Sequence, residues 1–272
     1  MDPLIFIDTN IFLDFYRIRS SDVSIGFLDH IEKHQDRIIT GNQIEMEYKK
    51  NRQEVIIASL KNYKTPDWAG LTPPAFLSDA QPTKIITKNR KEITSQQKKL
   101  KRRIEAILRN PSGYDPVFKV LQHLFKKKSP HNLSRDKKIR YQIRRLAWKR
   151  FILGYPPRKD NDTSIGDAIN WEWIIHCANE SGKDIIIVTR DSDYGPQYNK
   201  DVFLNDWLRQ EFKERVSRKR KILITNLLTH AFKQASITVT KKEEKEEASL
   251  IIDKSSHKMT DSASTIEEDA LS

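Results

Sequence analysis

Four short apolar runs, each closed by a polar turn and followed by a helical pattern, constrain this chain more than any other feature. They are LIFI (Leu4 to Ile7), RIIT (Arg37 to Thr40), DIIIV (Asp184 to Val188) and ILIT (Ile222 to Thr225). Continuous apolar runs of this length are buried on both faces, as strands of a parallel sheet are, and parallel strands need helical crossovers between them. The intervening segments supply those helices. IFLDFYRI follows the capping residues Asp8-Thr9-Asn10, QIEMEYKKNRQEVIIASLKNY follows Gly41-Asn42, a helix is expected from about Ser164 to Glu180, and LNDWLRQEFKERV and NLLTHAFKQA complete the series. A further short strand is expected near Val202 and Phe203. The sequence thus predicts an α/β fold of three layers, Rossmann-like, around a mostly parallel central sheet.

The rhythm stops between 65 and 155. Pro66, Pro73, Pro74 and Pro82 mark a loop, and three helices are expected at roughly 86 to 109, 115 to 127 and 134 to 152. The whole of 65–155 is read as a helical insertion in one domain spanning 1–236, and the polar, charged stretch 237–272 as a disordered tail. The net charge of +12 is concentrated in the insertion: residues 84–150 hold 22 Lys and Arg against 4 Asp and Glu, a net +18. A basic surface of that density attracts polyanions, nucleic acid above all, although a solvated helical face accounts for part of such a block. Lys98, Lys99, Lys101, Arg102 and Arg103 form one run, and Arg140, Arg144 and Arg145 recur at helical spacing beside Tyr141 and Trp148. Those two aromatics suit stacking on unpaired bases, while an aromatic at such spacing is more often core. The single cysteine, Cys177, excludes an internal disulfide and a multi-cysteine zinc site, and reads as a small buried hydrophobe. No membrane-spanning run or leader is recognised, so the expected location is the cytoplasm.

In an open parallel sheet, ligands gather beyond the carboxyl ends of the strands. Asp8 lies directly after the first strand, and Asp191 and Asp193 just past the third, in IVTRDSDYG. Each has a local explanation as a cap or turn former. Together they are carboxylates that repel one another unless a cation sits between them, and hard oxygen donors suit Mg²⁺ or Mn²⁺. Asp167, in SIGDAINWEWI, is placed either to complement a helix dipole or to join this group. Glu45 and Glu47 point about 200° apart around their helix at roughly 100° per residue, and geometry does not choose between them.

The order IFIDTNIFL, acidic helix, GDAINWEWI, IIIVTRDSDYG resembles that of the PIN-domain nucleases, in a larger form carrying a basic helical insertion. The resemblance covers about 1–63 and 155–234. It implies hydrolysis of phosphodiester bonds with one or two Mg²⁺ or Mn²⁺ ions, by metal-assisted in-line attack. Carried over by motif, Asp8, Glu47, Asp167 and Asp191 would be catalytic, with Asp8, Asp167, Asp191 and Asp193 as metal ligands. Asn10 fits the polar residue beside the first aspartate, on the substrate side, and Asp160 or Asp162 would reach the metal only if their loop folds inward. The resemblance implies RNA ahead of DNA as substrate, without excluding a nucleic-acid-binding protein that keeps the fold without cutting. Small relatives often act as toxins restrained by a partner; the sequence itself shows neither an inhibitory partner nor a homo-oligomer. A phosphohydrolase of the haloacid dehalogenase type is disfavoured, because it wants an aspartate where Asn10 stands.

Overall fold

A computed structural model describes residues 2–60, 68, 73–157, 164–199 and 201–251. The four apolar runs form β1 (Leu4–Ile7), β2 (Ile38–Gly41), β4 (Ile185–Val188) and β7 (Ile222–Thr225). With a two-residue strand, β3 (Asn132–Leu133), they make a five-stranded sheet in the order β3-β2-β1-β4-β7, and every pair is parallel. All residues of β1, β2 and β4 are buried, so helices cover both faces of the sheet. The chain builds outward on one side of β1 and then returns to build on the other. This puts a topological switch point between β1 and β4, where the carboxyl ends open a crevice.

The helices of the body are α1 (Thr9–Asp14), α2 (Ser21–Lys33), α3 (Asn42–Ser59), α6 (Pro116–Lys126), α7 (Ile139–Ile152), α8 (Gly166–Ser181), α9 (Asp206–Arg215) and α10 (Leu228–Gln234). Between α3 and α6 lie the 29-residue α4 (Gln81–Arg109) and the single turn α5 (Pro111–Tyr114). An aromatic cluster of Phe12, Phe15, Phe27, Tyr48, Phe118 and Phe125 locks α1, α2, α3 and α6 together. Beside it, the buried Arg52 on α3 donates to Asp115 Oδ2 (2.6 and 2.9 Å) and to the Ile107 carbonyl (2.8 Å), tying α4 and α6 to the body. On the other flank Arg150 and Arg215 converge on Glu172 and Glu211, so that paired charges clamp α7 and α9 to α8. Cys177 is buried, as expected, and burial pushes its thiol pKa up.

Four differences from the sequence-based expectations have physical causes. Within the segment read as an insertion, β3 joins the sheet edge, while Val117, Leu121, Leu124 and Ile143 of α6 and α7 enter the common core. Pro82 lies not in a loop but in the first turn of α4, where its missing N–H leaves nothing unsatisfied. The strand expected near Val202 and Phe203 is half of a separate antiparallel pair, β5 (Gln197–Tyr198) with β6 (Asp201–Val202), and Phe203 lies outside it. Residues 241–251, expected to be disordered, form a helix, here α11, whose Glu243 and Glu247 are buried. The remainder of the expected tail, 252–272, lies outside the described residues, as do Asp160 and Asp162. Among the described residues no helix is long and apolar enough to cross a membrane.

Candidate active site

The register of β1 on β4 builds the centre of the site. Ile7 pairs with Val188, and the next amide, Asp8 N–H, donates to the Val188 carbonyl (2.9 Å), so Asp8 and Thr189 leave the sheet side by side. Asp8 caps α1 by accepting from Thr9 N–H (2.6 Å), a role that fixes its χ1. Its other oxygen accepts from Thr189 Oγ1 (2.6 Å) and Asn10 Nδ2 (2.8 Å). Thr189 Oγ1 in turn accepts from the Asp191 amide (3.1 Å), and the Asn10 carboxamide oxygen accepts from the Arg190 amide (3.3 Å). Asn10 therefore laces the two strand ends together.

Glu47 arrives from α3. Its Oε2 accepts from Thr9 Oγ1 (3.0 Å) and its Oε1 from Gln43 Nε2 (2.6 Å), whereas Glu45 turns outward to pair with Lys49 (2.6 Å). Glycine at 166 permits this placement: a Cβ there would stand 2.5 Å from Glu47 Oε1 and 2.7 Å from Gln43 Nε2. The N-terminus of α8, with Asp167 in its first turn, thereby approaches Glu47 closely, and the positive end of that 16-residue helix favours both carboxylates.

Tyr194 closes the floor. It is fully buried against Phe6 and Trp171, and it is held by the sharp backbone of Gly195 (φ 154), where any side chain would run into the Phe203 carbonyl. Its hydroxyl finds no hydrogen-bond partner among the described residues. Burial raises its pKa well above the ordinary tyrosine value, and the charges of Asp167, Asp8, Glu47 and Asp193 raise it further. Asp8 reports the same field. Burial, with Asp191 and Glu47 adding to it and the Thr189 hydrogen bond opposing, pushes its pKa from 3.8 to about 7. Asp8, Glu47, Asp167, Asp191 and Asp193 therefore share one electrostatic neighbourhood.

That donor set is entirely oxygen, crowded with negative charge, and adjoins an orphaned hydroxyl. In chemistry and placement it fits a hard divalent cation. The carboxylates are not drawn into a ligand shell, however: among the described residues, no group of three or more His, Cys, Asp or Glu stands ready to hold a metal ion.

The basic residues divide into two places. Arg140 and Arg144 on α7, with Arg135 before it, line a shallow notch whose opposite wall is Asn42 and Gln43. Gln43 is the residue bonded to Glu47, so this notch borders the carboxylates. Arg145 is exposed on the same helix but outside the notch. Tyr141 and Trp148 are 62% and 53% exposed, which corrects the expectation that such aromatics are core; Arg140 lies over the Tyr141 ring (4.6 Å) and Trp148 stacks on Phe151. Lys98, Lys99, Lys101, Arg102 and Arg103 lie exposed on α4, and Arg103 is engaged with Tyr114 (5.2 Å to the ring). None of these five residues lines the notch.

A family model described as a PIN domain matches residues 5–194. The chain belongs to the PIN domain family. At the level of that family the fold goes with nuclease-type activity and with nucleic acids. Neither the curated proteins nor the solved structures compared with the chain contain a match to it. Within this PIN domain the sequence alone did not single out Thr9, Gln43, Gly166, Thr189 and Tyr194 for the site. Only Thr189 and Tyr194 carried a signal, as the flanks of the RDSD turn at a strand end.

Proposed function

We propose that this PIN domain is a divalent-cation-dependent nuclease that cuts single-stranded RNA. The observation that carries the proposal is the parallel β1–β4 register, which sets Asp8 beside Thr189 at the switch point, with Asp191 and Glu47 both within electrostatic reach of Asp8. Asp8, Asp167 and Asp191 would hold Mg²⁺ or Mn²⁺, with Asp193 as a further ligand and Glu47 completing the acidic wall. Bound there, the ion would supply Lewis acidity toward the scissile phosphate and the attacking water. The chain's own residues do the rest. Thr189 and Asn10 fix the Asp8 carboxyl by two hydrogen bonds, so Asn10 is proposed to orient an acid rather than to touch substrate. Thr9 and Gln43 fix Glu47. Arg135, Arg140 and Arg144 would take a backbone phosphate beside the cut, the exposed rings of Tyr141 and Trp148 would stack on unpaired bases, and the α4 run would hold more distant phosphates. Those exposed rings favour single strands over duplex.

The test is to incubate purified chain and its Asp191→Asn variant with Mn²⁺ and matched single-stranded RNA and DNA. The proposal expects the wild type to cut RNA faster than DNA, and the variant to bind both but cut neither. Equal cutting of the two would reassign the substrate to DNA as well, and binding without any cutting by the wild type would leave a nucleic-acid-binding PIN domain.

A further inference from the structure

We infer that the C-terminal helix α11 sets the geometry of the strand-end loop, with Glu247 as a positioning residue that acts on Asp191 and Asn10 through Arg190. This rests on the nuclease proposal only for the meaning of Asp191; the structural coupling stands apart from it. Residues 241–251 lie beyond the segment matched to the PIN family.

Helix α11 carries Glu243 and Glu247 one turn apart, and both side chains are almost fully buried. Buried carboxylates are tolerated only where donors meet them. Glu243 accepts from the amide and hydroxyl of Thr240 (2.6 and 2.9 Å), at the entrance to its own helix, and reaches His30 on α2 (3.3 Å). Glu247 reaches inward instead. It accepts from Leu228 N–H (2.6 Å), from the amide and hydroxyl of Thr229 (2.9 and 2.7 Å), and from Arg190 Nη2 (3.3 Å).

Arg190 immediately precedes Asp191, yet its guanidinium points away from the carboxylate cluster into the protein. There it is gripped by Asp14 of α1, by Glu247, and through Nε by the Asn226 carbonyl (3.3 Å). Its side chain is only 9% exposed, so the two carboxylates are what make burying it tolerable. The backbone of the same residue donates to Asn10 Oδ1, and Asn10 Nδ2 donates to Asp8. A continuous chain of hydrogen bonds therefore runs from α11 through Arg190 and Asn10 to Asp8, and Asp191 is the next residue of the backbone that Arg190 anchors. Without Glu247, Arg190 keeps one carboxylate and three donors of α10 lose their acceptor.

The experiment uses the full chain and compares Glu247→Ala with Glu243→Gln, a change in the same helix that does not touch Arg190. Hydrogen exchange of the 189–193 amides, measured in chelator, is the primary readout, and the Mn²⁺-dependent kcat and KM on single-stranded RNA are the second. Glu247→Ala is expected to speed exchange at 189–193 about tenfold and to lower kcat about tenfold or more with KM unchanged, while Glu243→Gln leaves both near wild type. Should Glu247→Ala fail to fold, Glu247→Gln gives the same comparison with the volume kept. Unchanged exchange at 189–193, or equal acceleration by Glu243→Gln, would overturn the inference and make α11 a cover only. Should the wild type not cut RNA, the nuclease proposal fails by itself, and the exchange data still decide the role of Glu247.

Discussion

Replacing Asp8 with Asn is expected to change the pH dependence of folding in a direction opposite to that of an ordinary salt-bridged carboxylate. Asp8 is 5% exposed, and its pKa rises from 3.8 to about 7 on folding. Between those values the folded chain holds a proton that the unfolded chain has released. Stability therefore falls as pH rises through that window, and is fully present only below it. A rise from 3.8 to about 7, at roughly 1.4 kcal/mol per pH unit, makes this ~4 kcal/mol. Asparagine cannot ionise, so the cost disappears, but its amide would face the Asn10 Nδ2 donor and lose that bond, a pH-independent penalty of about 1–3 kcal/mol. The Asn variant should be the less stable protein near pH 4 and the more stable one near pH 8, with the difference swinging by ~4 kcal/mol. Urea unfolding of both proteins across that range, in chelator, measures the swing. Stability curves that run parallel at all pH values would refute the claim that Asp8 is held in a buried, negatively charged site.

Other perturbations separate the parts of the site. Gly166→Ala should hardly move the melting temperature, since alanine favours a helix by about 0.5–1 kcal/mol over glycine. Its Cβ would nevertheless displace Glu47, and the rate of RNA cleavage should fall about tenfold or more; an unchanged rate would remove Glu47 from the site. Ser at both Arg140 and Arg144 should raise KM for short oligonucleotides and reduce the salt slope of binding by about one for each lost phosphate contact, measured by fluorescence anisotropy. Ser at Lys98, Lys99, Lys101, Arg102 and Arg103 should weaken binding of long strands more than that of short ones, because none of the five lines the notch beside the carboxylates. Thr189→Val, which removes the hydroxyl donated to Asp8, should cost about 1–3 kcal/mol in urea unfolding and raise the apparent Asp8 pKa further.

The sheet was legible because its strands are unbroken apolar runs, and LIFI, RIIT, DIIIV and ILIT differ from the observed strands by at most one residue at either end. The position of Asp8 and Asp191 just past two neighbouring strand ends was legible for the same reason. That Glu47 turns toward Thr9 while Glu45 turns out to Lys49 was not, because it depends on a tertiary approach, the bare Cα of Gly166 against the Glu47 carboxylate, that no periodicity records. β3 escaped notice because two residues hold no pattern. Helix α11 was misjudged on composition. A run such as KKEEKEE reads as a solvated tail, yet Glu247 finds its donors on Leu228, Thr229 and Arg190 of the body, and Glu243 lies against His30 of α2. Tyr141 and Trp148 show the opposite error, as α7 presents them to solvent although their helical spacing would have suited a core.

The central claim, that the carboxylates at the β1–β4 switch point act together on a divalent cation to cut RNA, is tested most directly by the rate of single-stranded RNA cleavage against Mn²⁺ concentration. Wild type, Asp8→Asn and Asp191→Asn would be compared, with binding followed in parallel. The account predicts a saturable rate for the wild type that chelator abolishes, and no cleavage by either variant although each still binds RNA. Cleavage that persists in chelator, or that survives in both variants, would contradict it.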